Sequence, residues 1–322
     1  MAFDWTFNAN VGCYMNHHIS NKLLQVAVAK LKIVPFTQVI EPGFKHKGET
    51  VNIMHVKELP DPTSSQLVEG TRIPIDKIQF GNRTITVVEW GRGAEYTDLH
   101  QQLGKFDPKA LLQKALIRQM QRALDIAAAR NGFFHTDVKI VFTPTSATAG
   151  TFATSGSPGA LATSNITFEH MGILADYLAG DIHCPPYEGE DYIMLACRKT
   201  LRGLKSDTLW QQIHMYLQKG DLFFRGEVGK AENIRCIEVN HEKAISNTAG
   251  GSTVLGEGVV FGDEGGVRVE VDAPQLYADP NFQSDFGRTK AVAWRGIFAF
   301  ASLWNTATDG EAKIIRLGST LS

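Results

Sequence analysis

The sequence predicts an α+β fold: a β-rich N-terminal third, then one long helix, then a mixed α/β region that returns to strands. Three observations carry this. Thr84-Ile85-Thr86-Val87-Val88-Glu89-Trp90 is β-branched and alternates with period two. Leu112, Leu116, Met120 and Leu124 recur every four residues among good helix formers. Downstream, apolar runs of strand length alternate with helix-length segments.

Taken in order, Asn21 to Lys32 reads as a short helix with Leu23, Leu24, Ala27, Val28 and Leu31 on one face, ended by Pro35. Phe36 to Pro60 reads as irregular or β. Arg72 to Ile78 alternates around Pro74, which demotes it to an edge strand or loop. Gly81-Asn82 is a turn signal, and Gly91 and Gly93 are expected to interrupt the strand that follows. Together these residues form a long two-stranded excursion. An isolated hairpin is marginal in water, so its partner surface is expected on another chain.

Residues 107–131 hold the strongest helix, with Asp107 as N-cap, Pro108 at the first helical position and Asn131-Gly132 as the stop. Its length of roughly 35 Å suits a spine across a domain. Residues 143–166, rich in small residues with Pro144 and Pro158, read as a long loop. Thr167 to Ala179 is a helix, Asp191 to Arg198 a buried strand, and Asp207 to Lys219 a helix closed by Gly220. Leu222 to Val228 and Asn233 to Val239 are strands around a turn at Gly229. Residues 246–258 are rich in glycine and serine. Val259 to Phe261 and Val267 to Val271 are short strands around the acidic turn Gly262 to Gly266. Ala291 to Ala301 and Ala312 to Leu317 suit a hairpin through Asp309-Gly310. No repeat of 20–50 residues is visible.

Composition bounds the function. The 322 residues are 43% hydrophobic and 20% charged, enough to bury a sizeable core. With 32 basic and 34 acidic residues the net charge is -2, which argues against a dedicated DNA-binding domain. The four cysteines, at 13, 184, 197 and 236, show no C-x-x-C spacing and read as free thiols of a reducing compartment. No secretory signal and no apolar run of membrane-spanning length is present, so cytoplasmic synthesis without a membrane partner is expected.

The candidate chemistry fails on spacing. Gly226-Glu-Val-Gly229-Lys230-Ala231 lacks the spacing of a phosphate loop and places Ala231 where a magnesium-holding hydroxyl belongs; a hairpin turn is the simpler reading. Gly262 to Gly266 is too short for a calcium loop. His17-His18 are adjacent and have no third metal ligand in pattern. His183-Cys184 before Pro185-Pro186 lacks the second cysteine of a zinc deaminase motif, and no base is identified for Cys184 as a nucleophile. Glu188, Glu190 and Asp191 read as a solvated loop entering a strand rather than an acid–base pair. Lys114, Arg118 and Arg122 share one helical face, partly neutralised by Asp125; this could touch phosphate, but an exposed amphipathic face is the plainer reading. No catalytic, cofactor or metal residues are predicted. A soluble α/β enzyme using Cys184 or the acid cluster remains the competing class.

Several segments carry a resemblance: Leu67-Val-Glu-Gly-Thr-Arg-Ile-Pro74, Arg83 to Gly91, Tyr96-Thr-Asp-Leu99, Gly180-Asp-Ile-His-Cys-Pro-Pro186, Tyr192-Ile-Met-Leu195, Phe286 to Gly296 and Ala312 to Gly318. In these segments and in their order, the chain resembles the major capsid proteins of tailed bacteriophages, of podovirus type. That fold is shared with encapsulins and the herpesvirus capsid floor. The resemblance spans about Leu23 to Gly318 and implies the tailed-phage major capsid fold: an N-terminal arm (1–59), an extended β-hairpin loop (60–100), a peripheral domain (101–166 and 286–322) with the spine helix, and an axial α/β domain (167–285).

It implies a shell subunit and not an enzyme. Hexamers and pentamers of the chain would build an icosahedral or prolate shell enclosing double-stranded DNA without sequence-specific binding. Implied partners are copies of itself, a portal protein, a scaffolding protein expected as a separate chain because so short an arm precedes the loop, and a decoration or cement protein. The implied location is the virion, assembled in the host cytoplasm. Arg72, Arg83, Glu89, Trp90, Arg92 and Tyr96 are candidate assembly contacts; Leu112, Leu116, Met120 and Leu124 are the spine-helix core. The alternative within the fold is an encapsulin-type nanocompartment.

Overall fold

The chain alternates between extended and helical backbone largely as its apolar spacing dictates. The computed structural model describes residues 32–40, 48–57, 59, 67–70, 72–73, 75–104, 106–216, 227–240, 256–279, 288–307 and 310–320. Four strands lead: β1 (Thr37–Ile40), β2 (Thr50–Val56), β3 (Phe80–Thr86) and β4 (Val88–Thr97). Helices α1 (Asp98–Leu103) and α2 (Pro108–Ala127) follow, then β5 (Ile140–Pro144), β6 (Gly150–Ala153) and α3 (Phe168–Asp176). The next elements are β7 (Tyr192–Cys197), α4 (Arg198–Ser206), α5 (Thr208–Tyr216), β8 (Glu227–Ala231) and β9 (Ile234–Val239). The last are β10 (Gly256–Phe261), β11 (Gly266–Asp279), β12 (Thr289–Ser302) and β13 (Ile314–Ser319).

The described strands form three sheets. A seven-stranded sheet runs β6-β5-β13-β10-β7-β9-β8, a four-stranded sheet β1-β11-β12-β4, and β2 pairs with β3 alone. Both faces of the seven-stranded sheet are covered, so β7 and β13 are buried along their whole length and read as continuous apolar runs. One core lies against α3 and α4 and centres on Phe142, Met171, Leu174, Met194 and Leu201. A second joins the two large sheets: Ile193, Leu195, Val259 and Phe261 meet Phe133, Phe298 and Phe300.

Helix α2 forms as predicted. The Asp107 carboxylate accepts the Lys109 N–H and Pro108 occupies the first turn. Leu116 is 4% exposed and packs with Tyr96, Val292 and Trp294, while Leu112 and Met120 flank that cluster and Leu124 joins the second core. The helix does not stop at Asn131-Gly132. A wider, π-helical turn carries it from Ala128 to Phe133, held because Ala128, Ala129, Gly132 and Phe133 are buried.

Several local expectations yield to tertiary pairing. Gly81-Asn82 is no turn: both lie in β3 opposite His55 and Met54, and the His55 ring fills the space a Gly81 side chain would need. Thr84 to Trp90 is two strands, because the chain leaves the small sheet at Val87 and enters the four-stranded one. Gly91 and Gly93 do not interrupt β4; a Cβ at Gly91 would stand 2.8 Å from the Trp294 carbonyl oxygen, so glycine allows the close approach to β12. Arg72–Ile73 and Ile75–Gln79 are loop.

Residues 143–166 begin with the hairpin β5–β6, closed by Thr145 and Ser146 N–H groups on the Ala149 carbonyl. The β8–β9 turn is Glu232-Asn233, both at positive φ (47° and 59°), whereas Gly229 marks a bulge. Val267 to Val271 is part of a 14-residue strand. β12 and β13 are not a hairpin: β12 lies between β11 and β4, and β13 between β10 and β5. Helix α4 was not expected; its Leu201 and Leu204 are buried on one side of a basic segment.

The predicted helix at 21–32 lies outside the described residues except for Lys32, as do His17-His18, Leu222 to Gly226, residues 246–255 and Asp309.

Candidate assembly surfaces

Among the described residues, the β2–β3 excursion carries a run of apolar side chains left uncovered. In β2 burial alternates, with Val51 inward and Asn52 outward. The inner pair Val51 and Ile85 packs with Val87, Val267, Val269 and Leu303, which seats the base on the four-stranded sheet. Beyond that base the pattern fails. Met54, Val56, Ile73, Ile75, Ile78 and Phe80 each expose more than 60% of their surface. A contiguous apolar stretch of this kind marks an interaction site.

Polar contacts fix the base. Arg83 donates to Asp137, whose carboxylate also lies 3.2 Å from His135. Burial alone would raise the Asp137 carboxyl; the Arg83 guanidinium outweighs it and holds the group below the usual carboxylate range. The His55 ring sits 5.4 Å from that of Trp304, and Lys57 lies 3.6 Å from Glu311. The Lys313 ammonium stands 4.3 Å over the Trp304 ring and pairs with Glu264 at 2.7 Å, while the Trp304 indole N–H donates to the Glu264 carbonyl.

The chain entering β1 is anchored differently. Asp125, on the inner side of α2, accepts N–H bonds from Lys32, Ile33 and Val34 at 3.3, 2.8 and 3.3 Å. Asp125 is accordingly 1% exposed. Sequence reasoning missed this role; an acid on an otherwise apolar helix stripe was the available signal.

The six candidate contacts do not form one patch. Arg72 is exposed on the excursion and Arg83 is held by Asp137. Glu89 is exposed, with its carboxylate 3.6 Å from Arg295. Trp90 stacks on Phe298 at 5.8 Å and Tyr96 is buried beside Leu116, so internal packing already accounts for both aromatics. Arg92 is exposed beside α2, where a groove of about 800 Å³ runs between that helix and β4.

The chemistry-like residues take structural places. Cys184 is buried and its thiol is pushed up to about 12 by that burial, so it stays protonated at neutral pH. Cys236 is likewise pushed up to about 12. The acid cluster is not a solvated loop throughout: Asp191 is 5% exposed and is clamped by Lys230 at 2.5 Å and Arg235 at 2.7 Å, with Glu188 on Arg235 at 2.9 Å. Burial would raise the Asp191 carboxyl, but the two cations hold it below its ordinary value. Glu227–Ala231 of that stretch forms strand β8, not a phosphate loop. No group of three potential metal-ligating side chains occurs among the described residues, and no described helix is long and apolar enough to cross a membrane.

The architecture has counterparts among solved structures. The acid-stable capsid of Helicobacter pylori bacteriophage KHP30 overlays with a TM-score of 0.70 at 11% identity, covering 99% of each chain. The head of H. pylori bacteriophage KHP40 gives 0.71 at 12% identity over 100% of each chain, and the cyanophage Pam1 capsid gives 0.68 at 16% over 99% of each. The chain has the fold of tailed-phage capsid proteins. No family model and no curated protein sequence matches it. At such identities the shared property is the pattern of burial and pairing, which many apolar sequences can satisfy.

Proposed function

We propose that this chain is the major capsid protein of a tailed phage, assembling through hexamers and pentamers into the shell around double-stranded DNA. The observation that carries the reading is the excursion: an arm-like hairpin with an exposed apolar face, within a fold that phage capsids share end to end. The face is covered when it lies on a neighbouring subunit, and heterologous contacts repeated around an axis close into rings. Phage heads and capsids among the overlaid structures favour this over an encapsulin-type compartment.

The proposed units keep the predicted bounds: arm 1–59, extended loop 60–100, peripheral 101–166 with 286–322, axial 167–285. Within the proposed peripheral bounds, β5, β6 and β13 pair into the seven-stranded sheet. Portal, separate scaffolding and decoration proteins, virion location and assembly in the host cytoplasm belong to the same proposal. Arg72, Glu89 and Arg92 are the proposed polar contacts, with Arg83 setting the hairpin's base.

Electron microscopy of the expressed chain tests the reading, with shells or capsomers expected. A truncation sharpens it. The Lys57 N–H bonds to the Gln79 carbonyl at 2.9 Å, so an Asn-Gly turn can replace residues 58–78 without disturbing the paired strands. That variant should stay folded and form no shells. Normal particles from it would refute the excursion as an assembly element, and a dispersed wild-type monomer would count against the capsid reading itself.

A further inference from the structure

We infer that His170 is an acid-released latch: its neutral ring ties the β5–β6 turn to the start of α3, and protonation undoes the tie. The ring is 0% exposed and stands edge-on to Phe142 at 5.7 Å. Its two nitrogens face different parts of the chain. Nε2 lies 3.2 Å from the Ala149 carbonyl oxygen, so it carries the proton and donates. Nδ1 lies 3.0 Å from the Thr167 backbone nitrogen and accepts that N–H. One donor and one acceptor are what a neutral imidazole offers.

The Thr167 hydroxyl completes the arrangement. Its hydrogen serves the Ala147 carbonyl at 2.6 Å, and its oxygen stands 3.0 Å from Nδ1. That oxygen is an acceptor facing a nitrogen that has no proton to give. A second proton on the ring would go to Nδ1 and turn it toward this oxygen. The Thr167 N–H would then face a donor and lose its acceptor, and the buried ring would carry a charge. The parts that loosen are the ones His170 joins. β6 is an edge strand, so the β5–β6 hairpin can release while the rest of the sheet stays paired. The segment between β6 and α3 goes with it: the Thr163 hydroxyl donates to the Thr145 carbonyl at 2.6 Å, and the Thr320 N–H to the Ser164 carbonyl at 3.2 Å.

The sequence isolates the trigger. Residues 140–168 contain no Asp, Glu, Lys, Arg, His, Cys or Tyr, so the released parts bring no titration of their own. Burial pushes the His170 imidazole below its ordinary value, against the pull of the Ala149 and Ser146 carbonyls and of two carboxylates, Asp207 at the α4–α5 junction and Glu169 on α3 itself. Asp207 also accepts the Phe168 N–H at 2.8 Å, which fixes it beside the latch. In the opened segment the ring takes its proton at about pH 6.5, and in the closed one lower. Closure is therefore fully favoured above about pH 6.5 and weakens as pH falls toward the closed value, by up to about tenfold per pH unit.

Hydrogen exchange of the full chain, read by mass spectrometry and corrected for the intrinsic effect of pH, tests this between about pH 7.5 and about pH 5. Peptides covering 141–153 and 163–171 should lose at least about tenfold in protection, while β7 and β10 keep theirs. His170→Gln supplies an amide oxygen for the Thr167 N–H and does not titrate, so its protection should stay constant across that range. Should a thermal melt show that His170→Gln has not folded, ring spectra of the ¹⁵N-histidine-labelled wild type carry the attribution: one buried ring should hold its proton on Nε2 at neutral pH and gain the second over the range in which protection falls. Unchanged protection of the hairpin in acid, equal loss in wild type and His170→Gln, equal acceleration in β7 and β10, or a buried ring that stays neutral while protection falls would each overturn the latch.

Discussion

The seven-stranded sheet and the β2–β3 hairpin are made from the same residue types but use them oppositely. In β7 and β13 every residue is buried, and the apolar runs meet cover on both faces. In the hairpin, Val51 and Ile85 are buried, while Met54, Val56 and Phe80 on the same strands are more than 60% exposed. The sheet closes its surface within one chain; the hairpin closes only its base. A β-branched strand therefore says that a partner surface exists, and not whether that surface lies on the same chain.

The strongest way to sharpen this comparison is to place the same charge in a packed cluster of the body and in the excursion. Leu116→Asp puts an unpaired carboxylate into the cluster of Tyr96, Val292 and Trp294 and should cost about 3–5 kcal/mol, a large part of the stability of a typical domain. Ile75→Asp, at a position 71% exposed, should change stability by no more than about 0.5 kcal/mol. Chemical denaturation measures the first effect. For the second, an unchanged melt should accompany lost assembly in the microscope. Met120→Asp should fall between them, because Met120 only flanks the cluster. If Ile75→Asp unfolds the chain as Leu116→Asp does, the hairpin is not the separate surface described here.

The legible parts of the fold were those written in local periodicity. Helix α2, its cap at Asp107, the buried strand β7 and helix α3 follow from spacing alone. Sheet membership did not. Thr84 to Trp90 looks like one strand because both of its halves are β-branched; only the partners, β2 and β12, divide it at Val87. β12 and β13 look like a hairpin because a turn signal lies between them, yet they belong to different sheets. The excursion was legible, but not which of its residues face outward. Trp90 and Tyr96 are aromatic and near the loop, and the chain uses them on its own core.

The entry into β1 tests the boundary between the packed body and its appendages. Asp125→Ala removes one oxygen that accepts three backbone N–H groups and leaves the buried Ile33 N–H without that partner. A loss of about 1–3 kcal/mol is expected. Hydrogen exchange at Ile33 and Val34 should quicken more than at β7 or β13. Asp125→Asn, which keeps a carbonyl oxygen in place, should recover part of the loss. Equal acceleration throughout the chain would mean that this segment is part of the cooperative core.

A smaller effect than that of Leu116→Asp belongs to the polar clamp at Asp191. Asp191→Asn should cost about 1–2 kcal/mol at neutral pH, moderated because Lys230 remains 44% exposed and Arg235 29% exposed. The Asp191 carboxyl is held below its ordinary value in the folded chain. Its contribution is therefore complete above the unfolded carboxylate range, about pH 4, and is lost as pH falls through the lower folded value. Denaturation curves for wild type and variant should differ at neutral pH and converge in acid below that range. A difference that persists there would show that packing around Asp191, not its charge, holds β7 to β8 and β9. In that case even the charged rim of the sheet would belong to the apolar logic that the hairpin leaves unfinished.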